Sequence, residues 1–282
     1  MTGFSNALLV INRRSGSHSE GVERDLLDGF AAAGIASSQV LDCSEATLDL
    51  RDYVTAEGFD LVAVHGGDGT MNSIVGQLRG WDGSILPLPG GTSNLLCKRW
   101  WSECDSAAIM AKLASGALVP RMPECIEGRD WIALAEVLAG PGARWAEVRE
   151  DMRDGDILAA AAESIDAIDN SRNGPLVRIT EPELGRASGY AGILLSLTEA
   201  GMQVRAYRIE GLDEFVRQGA AIIGRNFRDG PHDDLGTARE VLFQSTRDDG
   251  IELMIDGERF EGQPEERFSL APLGVTLLGP RA

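Results

Sequence analysis

The chain has 282 residues, of which 43% are hydrophobic, and its 44 acidic and 26 basic side chains give a formal net charge of −18. Such a chain can bury the core of one large domain or two ordinary ones, and its charge disfavours nucleic acid and strongly anionic membranes as partners. Its four cysteines show no C-x-x-C pairing and there are three histidines, so we expect no zinc site and reduced thiols in a cytoplasmic protein. Neither a signal peptide nor a membrane-spanning run of about 18 apolar residues is expected.

Residues 1–122 alternate between two hydrophobic patterns. Short aliphatic runs predict buried strands, and apolar residues at helical spacing predict amphipathic helices. This alternation is typical of βαβ units with a largely parallel sheet, whose ligands bind beyond the carboxyl ends of the strands. The predicted strands are 8–11, a short one at Val40, 61–64 and 84–88, and the predicted helices are 19–33, 50–57, one starting at Thr70, one through Leu95 and Leu96, and 106–114.

A glycine-rich turn follows the predicted strand 61–64. The run G-G-D-G-T occupies residues 66–70, and Thr70 is expected to cap the next helix. Glycines at such a turn let backbone N–H groups and a helix dipole approach a phosphate, although a lone turn of this kind is more often a tight connection. Asp68 suggests Mg²⁺ bound directly or through water, or alternatively a hydrogen bond to the turn backbone. The candidate binding residues are Gly66, Gly67, Gly69, Thr70 and Asn72, and Asn72 also fits a surface helix position.

A second glycine turn follows the next predicted strand, with the run P-G-G-T-S-N at residues 89–94. Two such turns on consecutive strands are harder to explain as mere connections. Their hydroxyl and amide side chains suit a phosphate ligand, although plain helix N-cap residues would look the same. We expect a Cβ added at Gly67 or Gly91 to meet the ligand more than the protein. The candidates at this turn are Gly91, Thr92 and Asn94.

The first predicted strand also ends in polar residues, with the run N-R-R-S-G at residues 12–16. Asn12, Ser15 and Gly16 would form another wall of the nucleotide pocket. Taken alone, the run favours an ordinary turn with an Asx or Ser cap.

The pattern changes around residues 119–123, where two prolines and a shift towards acidic strands indicate a domain boundary. We therefore expect one domain over 1–122 and another over 123–271. Runs of strand pattern predict that the second domain is antiparallel β. The predicted strands are 131–138, 176–180, 191–197, 202–207, 220–224, 240–245, 251–255 and 267–270, and a helix is predicted at 157–168.

Near the end of the second domain, D-G-E occupies residues 256–258. If the run lies on a strand, Asp256 and Glu258 point to one face and Gly257 permits a close approach. A carboxylate there can accept the proton of an alcohol as it attacks phosphorus. In isolation the run more often marks an exposed hairpin end.

Together these runs resemble the diacylglycerol kinase family. G-G-D-G-T at 66–70 is the nucleotide motif shared by diacylglycerol, sphingosine and ceramide kinases and, more distantly, by NAD kinases and phosphofructokinases. Residues 89–94 look like the family's G-T-x-N motif with an added glycine, residues 12–16 are similar to its N-P-x-S-G, and residues 256–258 match its D-G-E. The four motifs follow the family order from residue 8 to residue 258, and the middle of the chain matches weakly.

The resemblance implies a parallel α/β nucleotide-binding domain of the NAD kinase and diacylglycerol kinase type, followed by an antiparallel β-sandwich. Residues 272–282 would return to the first domain. The implied activity is transfer of the γ-phosphate of ATP, with Mg²⁺, to a hydroxyl of a lipid such as diacylglycerol or a sphingoid or ceramide-type lipid. A cytoplasmic, peripherally associating protein would meet that lipid alcohol at a membrane surface, and a homodimer stays open. Asp68, Asp256 and Glu258 are carried over as catalytic candidates, and which acid of D-G-E is the base stays open.

The chain departs from the family at two places. The family's D-D-G-x-L stretch, tied to a structural Mg²⁺, corresponds to residues 198–202, T-E-A-G-M, where the second acid is lost. Arg13 replaces the family's proline. The metal ligands are therefore left unassigned. Two alternatives stay open, namely an NAD kinase-like enzyme and a nucleotide-binding protein with degenerate catalysis.

Overall fold

The structure is a computed structural model that describes residues 3–14, 19–44, 48–101, 104–144, 174–208 and 232–281. Four predicted features lie outside the described residues, namely Ser15, Gly16, the helix 157–168 and the strand 220–224. The chain divides into two compact units. One comprises Met1–Cys125 with Pro272–Ala282, and the other is Ile126–Ala271.

The first unit is built on a six-stranded sheet with five helices. The strands are β1 Asn6–Ile11, β2 Ser37–Asp42, β3 Leu61–Gly66, β4 Ser84–Pro89, β5 Leu118–Arg121 and β18 Thr276–Pro280, and the helices are α1 Glu20–Ala32, α2 Leu50–Ala56, α3 Asp68–Gln77, α4 Leu95–Trp100 and α5 Ser106–Ala114. The order of the strands in the sheet is β2-β1-β3-β4-β18-β5. The first five strands in that order run parallel, and β5 pairs antiparallel with β18.

The central strands of this sheet end side by side. Ile11 of β1 lies opposite His65 of β3, and Gly66 of β3 lies opposite Pro89 of β4. All of Leu61–Gly66 is buried, as expected for a parallel strand covered on both faces. The parallel register therefore brings the chain segments that follow β1, β3 and β4 to one edge of the sheet.

The second unit contains two six-stranded sheets. The strands are β6 Glu124–Glu127, β7 Ile132–Ala133, β8 Glu136–Ala139, β9 Val177–Glu181, β10 Glu183–Leu184, β11 Gly192–Thr198, β12 Gly201–Tyr207, β13 His232–Ala238, β14 Glu240–Ser245, β15 Glu252–Ile255, β16 Glu258–Glu261 and β17 Glu265–Pro272, and a 3-10 helix spans Pro141–Arg144. The strand orders are β10-β9-β14-β17-β6-β7 in the first sheet and β13-β12-β11-β8-β15-β16 in the second. Strands of both sheets share one hydrophobic core, which includes Ile179, Phe243 and Phe268 from the first and Val137 and Leu195 from the second.

The fold class predicted from the sequence is confirmed: a parallel-rich α/β sheet is followed by antiparallel β sheets. One predicted strand, 131–138, is wrong as a single element. The chain leaves β7 in one sheet at Ala133 and enters β8 in the other at Glu136. Leu134 and Ala135 are the two residues that cross between the sheets.

Candidate active site

The first glycine turn lies directly on the N-terminus of α3. The helix begins at Asp68, and Gly67 is its N-cap with extended backbone angles (φ −76°, ψ 179°) and no side-chain cap hydrogen bond. The expectation that Thr70 caps this helix is therefore wrong, because the chain turns helical directly after β3 and Thr70 is the third helical residue. The N–H groups of the first turn point along the helix axis at the end whose dipole attracts anions.

The second glycine turn packs against the first through backbone atoms. The Gly90 N–H donates to the Gly66 carbonyl at 3.1 Å. A Cβ added at Gly91 would lie 2.4 Å from the Gly67 Cα, whereas a Cβ at Gly67 would lie 3.6 Å from the Gly91 Cα. The expectation that both positions would clash with ligand more than with protein is wrong for Gly91, because its Cβ would strike the neighbouring turn.

Asp68 joins the two turns. Its Oδ1 accepts a hydrogen bond of 2.5 Å from the backbone N–H of Leu95, the first residue of α4. Hydrogen bonding to the turn backbone was the alternative to Mg²⁺ binding for this side chain. Asp68 does bind backbone, but its partner Leu95 follows the second turn and does not lie in the turn that contains Asp68. The half-buried carboxylate therefore lies between the N-termini of two helices.

Asn94 closes the second turn on itself. It adopts a left-handed conformation (φ 46°) that asparagine tolerates better than most residues. Its Oδ1 accepts from the Gly91 N–H at 2.9 Å and its Nδ2 donates to the Gly91 carbonyl at 2.6 Å. Its side chain therefore shapes the turn, and the exposed Thr92 lies within the same turn.

Asn12 reaches the first turn from the end of β1. Its Nδ2 donates to the Thr70 Oγ1 at 3.4 Å, and its Oδ1 accepts from the Arg14 N–H at 3.0 Å. Thr70 also packs on Gly66, where an added Cβ would lie 2.8 Å from the Thr70 Cγ2. Asn72, half-buried, lies one turn further along the face of α3 that starts at Asp68. The described candidates of the first unit are thus gathered at one sheet edge.

Sequence reasoning missed a cysteine pair beside this edge. Burial raises the pKa of the Cys97 thiol, and the nearby thiol of Cys104 and carboxylate of Asp68 raise it further. Burial also raises the pKa of Cys104. Both thiols therefore stay protonated at neutral pH, and neither supplies a thiolate nucleophile. The sequence signal available was the position of Cys97 inside the short helix after the second turn.

In the second unit, D-G-E forms a hairpin turn. Ile255 of β15 pairs with Glu258 of β16, so Asp256 and Gly257 are the two turn residues, both at positive φ (48° and 94°). The expectation that Asp256 and Glu258 share a strand face is therefore wrong, because only Glu258 belongs to a strand. Asp-Gly at these angles matches the type I′ turn that joins twisted antiparallel strands.

The stretch corresponding to the family's structural metal site is also a hairpin. Thr198 of β11 pairs with Gly201 of β12, and the Thr198 Oγ1 donates to the Gly201 carbonyl at 2.8 Å. Glu199 is exposed in the turn. Within the described ranges no cluster of three or more His, Cys, Asp or Glu side chains is arranged to hold a metal ion. These residues do not fit a structural Mg²⁺ site at this hairpin.

In other parallel α/β proteins, a glycine turn at a helix N-terminus beyond the carboxyl end of a strand is an arrangement that binds phosphate groups. Residues 6–120 match the diacylglycerol kinase catalytic domain family. This part of the chain is therefore similar to the catalytic domain of diacylglycerol kinases, and the match indicates a kinase.

Solved structures show the same fold over the whole chain. A candidate diacylglycerol kinase from Bacillus anthracis str. Sterne is 16% identical with a TM-score of 0.68, and 98% of each chain is covered. A second structure, described as a diacylglycerol kinase from the same strain, is 16% identical with a TM-score of 0.63 and covers 99% of this chain and 98% of that one. A search of curated proteins found no match.

Proposed function

We propose that the protein is an ATP- and Mg²⁺-dependent lipid kinase that transfers the γ-phosphate to a hydroxyl of a lipid such as diacylglycerol or a sphingoid or ceramide-type lipid. The observation that carries the proposal is the contact between the two glycine turns at the N-terminus of α3. Phosphoryl transfer needs little covalent chemistry from a protein. It needs a held triphosphate, neutralised charge and an oriented acceptor.

The residues of the first unit fit a nucleotide. The N–H groups of Gly67 and Gly69, with the Thr70 hydroxyl and the Asn12 amide, offer donors to phosphate oxygens. Mg²⁺ is usually held by one or two carboxylates together with substrate phosphates, and Asp68 supplies a carboxylate at this edge. When bound, the ion would neutralise charge on the transferring phosphoryl group.

The resemblance of residues 256–258, D-G-E, to the family motif supports a proton acceptor for the lipid hydroxyl at this hairpin. The attacking hydroxyl must lose its proton as its oxygen bonds to phosphorus, and a carboxylate within hydrogen-bond reach can accept it. Asp256 and Glu258 are the carboxylates at that motif.

A lipid acceptor places the reaction at a membrane surface. Over the described part of the chain, no helix combines the length and apolarity needed to cross a bilayer. We therefore propose a peripheral encounter with the bilayer, in which the lipid headgroup presents its hydroxyl.

The test is transfer of radiolabelled phosphate from ATP, with Mg²⁺, onto extracted total lipid, purified diacylglycerol, ceramide, sphingosine and NAD. We expect label in a lipid product, and a strong loss with Asp68→Asn. Asp82→Asn is the matched control, because Asp82 is an exposed aspartate of the same unit. Label on NAD alone would replace the proposal with an NAD kinase, and ATP binding without transfer to any alcohol would indicate a nucleotide-binding protein.

A further inference from the structure

The edge strand β2 also ends in an acid at the carboxyl edge of the first sheet. Asp42 lies opposite Ile11 of β1, and Ile11 lies opposite His65 of β3. Asp42 is thus level with the end of β3 and is separated from it by β1. Adjacent strands are about 4.8 Å apart, so the backbone at Asp42 lies two strand spacings, about 10 Å, from the end of β3.

One oxygen of the Asp42 carboxylate holds the local backbone. Its Oδ1 accepts from the Ser44 N–H at 3.0 Å, from the Ser44 hydroxyl at 2.8 Å and from the Arg13 N–H at 3.3 Å. Within the described part of the chain, no hydrogen-bond donor contacts its Oδ2. A carboxylate can accept about four hydrogen bonds, so the half-buried Asp42 retains unused acceptor capacity.

The charge of Asp42 decides which ligand group suits this oxygen. Burial raises the pKa of the Asp42 carboxyl, but the hydrogen bonds from Ser44 and Arg13 outweigh this effect and hold the pKa below its usual value. The side chain is therefore ionised at neutral pH and offers acceptors but no donor. A ligand hydroxyl can donate to Oδ2, whereas a phosphate group would be repelled by it.

The residues that follow β1 connect Asp42 with the first glycine turn. The Arg13 N–H contacts Asp42, and the side chain of the preceding Asn12 contacts Thr70 in α3. A nucleotide whose phosphates lie at the N-terminus of α3 would pass Asn12 on the way to β2. In dinucleotide-binding α/β folds, an acidic side chain at the same edge as the phosphate turn binds a ribose hydroxyl. The position of Asp42 fits that role.

We propose that Asp42 accepts hydrogen bonds from the ribose hydroxyls of the nucleotide and thereby selects ribonucleotides over their deoxy analogues. This inference rests on the proposed function, because it concerns the nucleotide that the glycine turns would hold. The phosphates would lie at the turns, and the sugar would lie against the end of β2 with a hydroxyl donating to Oδ2. Asp42 is a specificity-determining residue and takes no part in phosphoryl transfer.

The first experiment compares nucleotide affinities of the wild type and needs no acceptor lipid. Titration calorimetry with Mg–ATP and with Mg–2′,3′-dideoxy-ATP gives a ratio of two dissociation constants. A hydrogen bond to a charged group contributes about tenfold or more in affinity, so the dideoxy analogue should bind at least about tenfold more weakly. The 2′-deoxy and 3′-deoxy analogues of ATP then show which hydroxyl donates.

Two variants test whether this selectivity comes from Asp42. In Asp42→Asn one oxygen remains for the turn and the other is replaced by an amide, so the ratio should fall by about threefold or more. In Asp42→Ser the hydroxyl can still form the turn but no second oxygen is present, so the ratio should approach one. A purely structural role of Asp42 would weaken ATP and dideoxy-ATP equally and would leave the ratio unchanged.

Asp60 provides a matched control at the opposite edge of the same sheet. This half-buried carboxylate also binds backbone and a serine hydroxyl. Its Oδ2 accepts from the N–H and the hydroxyl of Ser5, and its Oδ1 accepts from the Asn6 N–H. Asp60 directly precedes β3 and therefore lies at the amino edge, away from the glycine turns. Asp60→Asn should keep the affinity ratio of the wild type.

Equal affinities of the wild type for ATP and dideoxy-ATP would overturn the proposal, as would a wild-type ratio in both Asp42 variants. A wild type that binds no adenine nucleotide would overturn it as well. If the wild type binds ATP selectively through Asp42 but labels no alcohol, the proposed lipid kinase activity fails, whereas the assignment of Asp42 stands.

Discussion

The contact between the two glycine turns predicts unequal effects of the same substitution. In Gly91→Ala the new Cβ would lie 2.4 Å from the Gly67 Cα and 3.1 Å from the Gly67 N. Both atoms are backbone, so relief requires the two turns to separate. Overpacking of this kind costs about 1–3 kcal/mol, and the shortness of the contact places Gly91→Ala at the upper end. At roughly 2–4 °C for each kcal/mol, we expect Tm to fall by about 6–12 °C.

Gly67→Ala is the matched control on the facing turn. Its Cβ would lie 3.6 Å from the Gly91 Cα, an ordinary van der Waals contact, and its φ of −76° suits any residue. The loss of a favoured N-cap residue costs about 1 kcal/mol or less, so Tm should fall by about 4 °C at most. If phosphates approach this backbone, Gly67→Ala should weaken ATP binding even though its Tm falls only slightly.

Differential scanning calorimetry of both variants and titration calorimetry with Mg–ATP provide the two measurements. A Gly91→Ala protein that melts at the temperature of the wild type would refute the close packing of the turns. A Gly67→Ala protein that melts as early as Gly91→Ala would show that Gly67 is needed by the turn itself.

Variants at three further positions test other features of the structure. Asp68→Asn should keep the Tm of the wild type, since an amide oxygen can still accept from Leu95, whereas Asp68→Ala leaves that N–H without this acceptor and should cost about 1–3 kcal/mol in chemical denaturation. Gly257→Ala should lower stability by about 1–2 kcal/mol, because φ is 94° there although no atom lies within 4 Å of the added Cβ; an unchanged denaturation midpoint would contradict this. The Arg208 guanidinium holds the pKa of the Asp233 carboxyl below its usual value. The stability that this interaction adds to the folded protein is therefore present above the unfolded pKa of Asp233 and is lost as the pH falls through its folded pKa. Asp233→Asn should therefore destabilise the protein at pH 7 and not in acid beyond the folded pKa, as urea titrations across pH would show.

The sequence predicted elements whose signal is local. The aliphatic run 61–64 is buried in β3, most of the predicted helix 19–33 is α1, and 106–114 is a helix as predicted. Each of these follows from residues within one or two turns of each other. Hydrophobic periodicity was therefore sufficient for them.

Edge strands and long-range contacts could not be predicted in the same way. All four residues of β16 are exposed, and in β13 exposed and half-buried residues alternate, so neither strand carries a buried apolar face. The Asp256 carboxylate accepts from the backbone N–H groups of Leu134 and Ala135, which lie about 120 residues earlier in the chain. The sequence of residues 256–258 does not show which acid binds backbone and which faces solvent. The family motif contains both acids, so both were predicted as candidates for the same role.

The position of β18 has a consequence for biosynthesis. This strand lies between β4 and β5, and it is translated after the entire second unit. The Gly80 N–H and the Arg79 side chain also bind carbonyls of Gly274 and Leu273. While the ribosome is still producing the second unit, the nascent first sheet lacks one of its inner strands and leaves the facing edges of two others unpaired. The sheet that carries the two glycine turns is therefore completed only when translation has passed residue 280. A chain released earlier would carry every glycine of both turns on an incomplete sheet.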